Sequence, residues 1–244
     1  MSQKKSEKSR LLIVEGNIGA GKSTFLRIIK ENLACQIVYE PHEQWQDISG
    51  KGNLLDNFYV NPERWSYTFQ SYAFITRTLA QKISAKKNPY STQILERSVF
   101  SDKYCFAKNL YESGKMSDLE WTLYQEWFGW FFADHVQKPD GFIYLRTTPN
   151  TCYNRLKKRD RSEEKALPLA YLQQLHDKHE NWLIHKKDLD FYVQDVPVLI
   201  LECNKEFETD LVQKNSLIKK IVDFFDIDYY QPAKQISKNS QLHL

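Results

Sequence analysis

No apolar run in this 244-residue chain approaches the roughly 20 residues that a membrane-spanning helix needs, so a bilayer-embedded fold is not expected. The amino terminus, Ser2-Gln3-Lys4-Lys5-Ser6-Glu7-Lys8-Ser9-Arg10, lacks the apolar segment of a secretory signal. It reads as a solvated, disordered leader over residues 1–9, with a weak nuclear-import patch or part of a transit peptide as the alternatives. Cysteine is sparse and scattered: Cys35, Cys105, Cys152 and Cys203 show no C-x-x-C spacing. That pattern argues against a zinc site or a disulfide framework and for buried thiols in a reducing compartment. A cytoplasmic location is expected, with nuclear and mitochondrial addresses left open. Charge of one sign is missing too: 34 basic against 31 acidic residues leave a net +3, too little to argue for a nucleic-acid partner. Repeats and low-complexity segments are absent. Glycine is scarce, eight in all, and three of those eight fall within six residues.

Those three belong to Gly16-Asn17-Ile18-Gly19-Ala20-Gly21-Lys22-Ser23-Thr24, which follows the apolar run Leu11–Val14 and opens a helix-like stretch from Phe25 to Leu33. This is a G-x-x-x-x-G-K-[ST] phosphate loop in the strand-to-helix context it needs. Its backbone N–H groups and the helix N-terminus suit phosphate oxygens. Lys22 can reach the β- and γ-phosphates, and Ser23 can offer a hydroxyl to Mg²⁺. A nucleoside triphosphate ligand is expected.

Short β-branched or aromatic runs recur at Leu11–Val14, 36–39, 92–95, 141–145 and 196–201, as buried parallel strands require. Helix-patterned stretches between them predict an α/β fold, a doubly wound five-stranded parallel sheet flanked by helices. One domain is expected over residues 10–228, with a flexible tail from 229 to 244. Pro62 predicts a helix start, running to about Lys86. Ser117 and Glu120 predict a capping box. The helix that follows carries Trp121, Tyr124, Phe128, Phe131 and Phe132 as an aromatic stripe, with Trp127 and Trp130 outside it. Aromatics on more than one face predict a homodimer through aromatic-rich helices.

Ligands of open parallel sheets sit beyond the carboxyl ends of the strands. Here the first strand ends in Glu15 and the phosphate loop, the second in Glu40-Pro41, the third in Glu96-Arg97-Ser98. Phosphoryl transfer to an alcohol needs a carboxylate to take the proton, acidic support for Mg²⁺ and cations for the transferring group. Glu40 and Glu96 can divide the first two tasks, and Arg97 can orient the acceptor hydroxyl. Arg155 and Arg159 share a helix face, with Arg161 just beyond; this cluster suits an arginine-rich lid closing over triphosphate. Lys157 and Lys158 read as a solvated face, and Glu163 and Glu164 as lid salt bridges or substrate contacts. On the long helix, Gln70, Ala73, Phe74 and Arg77 follow helical spacing, and a buried glutamine and arginine there would want a bound base as partner.

With those residues assembled, the chain resembles the deoxynucleoside kinase family, in its deoxycytidine/deoxyguanosine/deoxyadenosine kinase branch, from about Leu11 to Phe225. The resemblance rests on Glu40-Pro41 with Trp45, Asn61-Pro62-Glu63-Arg64-Trp65 with Gln70, Glu96-Arg97-Ser98 with Asp102, Asn109-Leu110-Tyr111-Glu112-Ser113, Arg155…Arg159-Asp160-Arg161 and His176…His179-Glu180. It implies a P-loop kinase fold that phosphorylates the 5′-hydroxyl of deoxynucleosides, with ATP or UTP as donor and Mg²⁺. Glu40 would be the general base, with Glu96 as Mg²⁺ support or as the proton acceptor itself, and Arg97 would steady the hydroxyl and Glu40. Gln70, Arg77 and Asp102 would recognise the base, and Ala73 completes the trio that sets substrate choice. Tyr59 and Glu164 would hold the sugar 3′-hydroxyl, and Trp45, Phe69 and Phe106 would enclose base and sugar. Lys205, Glu206 and Phe207 would form the donor-base loop. The Ala73–Arg77–Asp102 trio implies deoxycytidine and purine deoxynucleosides as substrates and poor use of thymidine. His42-Glu43-Gln44 departs from the family pattern; His42 is expected to be a surface-loop histidine, and His176 and His179 match a helix motif without metal function. The alternatives are a nucleoside-monophosphate kinase of the thymidylate kinase type, which would need a cationic acceptor pocket, and a kinase-fold subunit kept for assembly.

Overall fold

The computed structural model describes residues 10–164 and 166–231. The expected leader at 1–9 lies outside the described residues, as does the tail from 232. Five strands form one parallel sheet: β1 (Arg10–Glu15), β2 (Gln36–Val38), β3 (Thr92–Glu96), β4 (Gly141–Arg146) and β5 (Val198–Glu202), in the spatial order β2-β3-β1-β4-β5. The register pairs Val14 with Glu96 and Glu15 with Tyr144, so the carboxyl ends of β1, β3 and β4 come level at one edge. β1, β3 and β4 are buried almost throughout, which is why they read as continuous apolar runs rather than alternating ones. The last strand begins two residues later than its apolar run, because Val196 and Pro197 link the turn at Asp195 to it.

Helices cover both faces. α1 (Lys22–Asn32) follows the phosphate loop and α2 (Pro62–Ala85) crosses from β2 to β3. α2 starts where the proline and the Asn61 cap place it: the Asn61 side chain accepts from the Arg64 N–H at 3.2 Å. Residues 99–112 form one helical rod, α3, with a π-turn over Asp102–Ala107. α4 (Asp118–His135) opens on the expected box, in which Ser117 Oγ accepts from Glu120 N and Glu120 Oε2 accepts from Ser117 N at 2.8 Å. α5 (Pro149–Arg159), α6 (Leu169–His179) and α7 (Leu211–Phe225) complete the layers.

One core cluster joins α1, α6 and α7 to one face of the sheet through Phe25, Ile29, Leu172 and Ile221. A second joins α3 and α4 to the other face through Phe74, Phe100, Phe128 and Trp182. Beyond residue 228 the chain is still anchored: Tyr229 bridges Leu33, and the Tyr230 N–H donates to Asn32 O at 2.8 Å. Residues 229 and 230, expected in the tail, are thus held against the end of α1. All four cysteines are buried and free. Among the described residues no helix is long and apolar enough to cross a membrane.

Candidate active site

A cleft of about 600 Å³ opens at the carboxyl ends of β1, β2 and β3. Its floor on the donor side is the phosphate loop. Gly16 and Gly21 sit at φ +149° and +96°, and a Cβ at Gly21 would lie 2.9 Å from Phe207 Cζ, so only glycine fits there. Lys22 Nζ donates to the carbonyls of Gly16 (3.2 Å) and Asn17 (2.8 Å). Burial, and then the Arg97 charge, bring its ammonium down to about 7 despite Glu40, Glu96 and Glu15. Asn17 ties the loop to α6 by donating to Leu172 O at 2.8 Å. Arg155 donates to Ala20 O (3.1 Å) and to the carbonyls of Asn204 and Lys205, clamping the phosphate loop to the 204–208 loop. The Glu206 carboxylate accepts from the Thr209 hydroxyl and from the N–H groups of Glu208, Thr209 and Asp210, so it shapes that loop from within.

On the acceptor side the central group is Glu40. Arg77 Nη2 hydrogen-bonds its Oε1, Arg97 Nε lies 3.5 Å from the same oxygen, and His42 Nε2 lies 3.2 Å from Oε2. Burial alone would raise the Glu40 carboxyl, but Arg77, His42, Arg97 and Lys22 outweigh it and hold the group far below the ordinary carboxylate range. Glu40 is therefore ionised although buried. Arg77 turns its Nε to Asp102 at 3.0 Å, and its guanidinium lies 4.9 Å from the centre of the Trp45 ring. Burial raises Asp102 to about 6, against the opposing pull of Arg77.

Arg97 reaches the cleft because its own backbone is left-handed, φ +60°, a conformation that costs a non-glycine residue about 1 kcal/mol. That turn lets its N–H pair with Val14 O while Ser98 caps α3. Its guanidinium lies 4.7 Å from the Phe106 ring centre. The π-turn then brings Asp102 and Phe106 to the same cleft wall, a frequent use of such turns. Gln70 is buried with its Oε1 unpartnered, and Arg77 Nη1 and Arg97 Nη1 are unpartnered as well. Three polar atoms left open around one cavity are what a polar ligand would satisfy.

Between the two halves, Ser23 Oγ donates to Glu96 Oε1 at 2.7 Å, and the Glu40 N–H lies 3.4 Å from Glu96 Oε2. Above them, Glu164 is buried and pairs with Arg159 and, at 3.9 Å, with Arg161. Glu163 accepts from Gln46 at 2.7 Å and Asn53 at 3.3 Å.

The cleft thus gathers Ile18, Gly19, Thr24, Trp45, Tyr59 and Phe69 with the charged groups just described. Ala73 is buried behind the wall rather than lining it, and Lys205 contributes its carbonyl rather than its side chain. Lys157 and Lys158 are both exposed as expected, Lys157 near the Tyr153 ring and Lys158 at the border of the cleft. One expectation is corrected. His42 belongs to a short helix, His42–Gln46, and faces Glu40 rather than solvent. Leu55, Phe58, Tyr171 and Asn204 also line the cleft. No local signal marks them, because tertiary packing brings them there.

A parallel sheet with a phosphate loop at the carboxyl end of its central strand, sharing one cleft with buried carboxylates, defines a P-loop kinase fold. The family model "Deoxynucleoside kinase" matches residues 12–226. Deoxycytidine kinase of Bos taurus is 43% identical, the match covering 90% of this chain and 93% of the relative. The human deoxycytidine kinase is 41% identical with 90% and 93% covered. The mitochondrial deoxyguanosine kinase of Xenopus laevis is 38% identical, with 92% of each chain covered. The chain belongs to the deoxynucleoside kinase family and is a phosphotransferase of nucleoside salvage.

Proposed function

We propose that this enzyme transfers the γ-phosphoryl group of ATP, or of UTP, to the 5′-hydroxyl of deoxycytidine and purine deoxynucleosides, and that it uses thymidine poorly. One observation carries the reading. A buried carboxylate, Glu40, is kept ionised by Arg77, His42 and Arg97 in the same cleft as the phosphate loop. A phosphate acceptor would meet Glu40, Asp102 and Glu164 in that compartment, so an uncharged alcohol suits it better than a nucleoside monophosphate.

In this reading Glu40 accepts the 5′-hydroxyl proton while Arg97 steadies the hydroxyl. Gln70, through its unpartnered oxygen, and the Arg77–Asp102 pair read the base; Trp45, Phe69 and Phe106 enclose it; Tyr59 and Glu164 take the sugar. Lys22 neutralises phosphate charge as the bond to the leaving oxygen lengthens, and Arg155, Arg159 and Arg161 act as the lid. The residues fit a hard cation: an alcohol and a carboxylate, Ser23 and Glu96, meet at the junction of the two halves. Among the described residues no cluster of three or more His, Cys, Asp or Glu would hold a metal alone. Phosphate oxygens and water would therefore complete the shell of Mg²⁺, which when bound withdraws charge from the phosphates.

The reading extends to assembly and location. α2 and α4 leave Trp127 and Trp130, each 53% exposed, beside an apolar recess of about 330 Å³. This supports a homodimer through these helices. Four free, buried thiols suit a reducing compartment such as the cytoplasm.

Glu40→Gln should lower kcat by about 10²–10⁴, the worth of a general base, while deoxycytidine binding stays measurable by calorimetry. Full turnover in that variant would refute the assignment. A steady-state panel of the four deoxynucleosides with ATP and UTP tests substrate choice, and a thymidine preference would overturn it.

A further inference from the structure

We infer that His42 is a positioning residue that fixes the orientation of the Glu40 carboxylate for proton transfer. This rests on the assignment of Glu40 as the base and goes beyond it. Glu40 Oε1 is occupied by Arg77 and approached by Arg97, so the remaining freedom of the carboxylate is rotation about Cγ–Cδ. His42 Nε2, 3.2 Å from Oε2, removes that freedom from the other side.

The imidazole is itself held. His42 and Trp45 stand three residues apart on the short helix after Pro41, and their rings lie 5.3 Å apart. Trp45 is locked by its Nε1–H, which donates to Thr76 Oγ1 at 2.9 Å on α2. Thr76 precedes Arg77, so the two groups that grip Glu40 are referred to the same turn of the same helix. His42 is only 26% exposed on its side chain and borders the cleft. In this role His42 presents Nε2–H to Oε2 across that 3.2 Å contact, which leaves the carboxylate one orientation in which a free lone pair meets the incoming hydroxyl.

The test uses the full-length enzyme and four variants. His42→Ala should lower kcat about tenfold, the worth of one hydrogen bond to a charged group expressed as rate, with the deoxynucleoside KM changed by less than about twofold. His42→Gln, whose amide nitrogen can occupy the place of Nε2, should restore most of the loss. In a Glu40→Gln background, followed by single turnover with enzyme in excess, His42→Ala should add nothing. Wild-type kcat in His42→Ala, no recovery in His42→Gln, or losses that multiply in the double variant would each overturn the role of His42 and leave Glu40 as base intact. Full turnover in Glu40→Gln alone would instead remove the base, and the role of His42 with it.

Discussion

Replacing Glu15 by glutamine should change the stability of this protein by an amount that depends on pH. Glu15 ends β1 directly before the phosphate loop and is fully buried. Ser98 Oγ donates to its Oε1 at 2.6 Å, while Oε2 has no partner. Burial raises the carboxyl from 4.5 to about 7, although Arg97, the Ser98 and Ser101 hydroxyls and Arg77 pull it down. For a group whose folded value is raised, stability is fully present below the unfolded value, here 4.5, and is lost as the pH rises through about 7. The gap between 4.5 and about 7 is worth about 3 kcal/mol, most of it lost between pH 5 and 8.

Glu15→Gln does not titrate and keeps an oxygen for Ser98. Any fixed cost of its amide is the same at every pH, so the informative quantity is the difference between variant and wild type across the range. Relative to wild type the variant should gain roughly 5–10 °C in Tm on going from pH 5 to pH 8, at about 2–4 °C per kcal/mol for a chain of this size. Thermal unfolding by circular dichroism at four pH values measures it. Asp102 also titrates high but is common to both proteins, so it cancels. A Tm difference that is flat with pH, or that moves the other way, would refute the reasoning.

Four further outcomes follow from the structure. Gly21→Ala places a Cβ 2.9 Å from Phe207 at a left-handed φ of +96°; triphosphate affinity should fall at least about tenfold by calorimetry, and an unchanged affinity would show that the loop adapts. Arg77→Met alone leaves Glu40 and Asp102 as uncompensated buried carboxylates, a loss of roughly 3–5 kcal/mol in denaturant melts. Arg77→Met with Asp102→Ala removes half of that conflict and should raise the thymidine-to-deoxycytidine ratio of kcat/KM at least about tenfold; an unchanged ratio would take substrate choice away from this pair. Trp127→Glu with Trp130→Glu should yield a monomer in sedimentation velocity, and a persisting dimer would move the interface elsewhere.

The sheet and the phosphate loop were legible because their signals are local: a buried apolar run, glycines where the backbone turns left-handed, a proline at the start of α2. Glu40 and Glu96 were legible as strand ends, since the carboxyl edge of a parallel sheet collects ligand-binding groups. The partnership inside the site was less so. Arg97 was expected beside Glu40, yet the closer grip comes from Arg77, which family resemblance gave to the base. Its reach across from α2 depends on how that helix packs against α3. His42 was expected in a surface loop; a short helix instead turns it toward Glu40 and Trp45. The π-turn at Asp102–Ala107 has no distinctive composition, and Tyr171 and Phe58 enter the cleft from elements far away in sequence.

The strand order has a consequence for how such an enzyme can diversify. Glu40 follows β2, Glu96 ends β3 and the phosphate loop follows β1, and these three strands are immediate neighbours. Hydrogen-bonded strands lie about 4.8 Å apart, so the sheet acts as a ruler: the strand ends that lead to Glu96 and to Glu40 stand about one and about two strand spacings from the one that leads to the phosphate loop. Gln70 and Arg77 line the cleft from α2, off that ruler, with Ala73 packed behind them. Exchanging a cleft-lining residue such as Gln70 changes the chemistry of the pocket wall without changing the spacing of those strand ends.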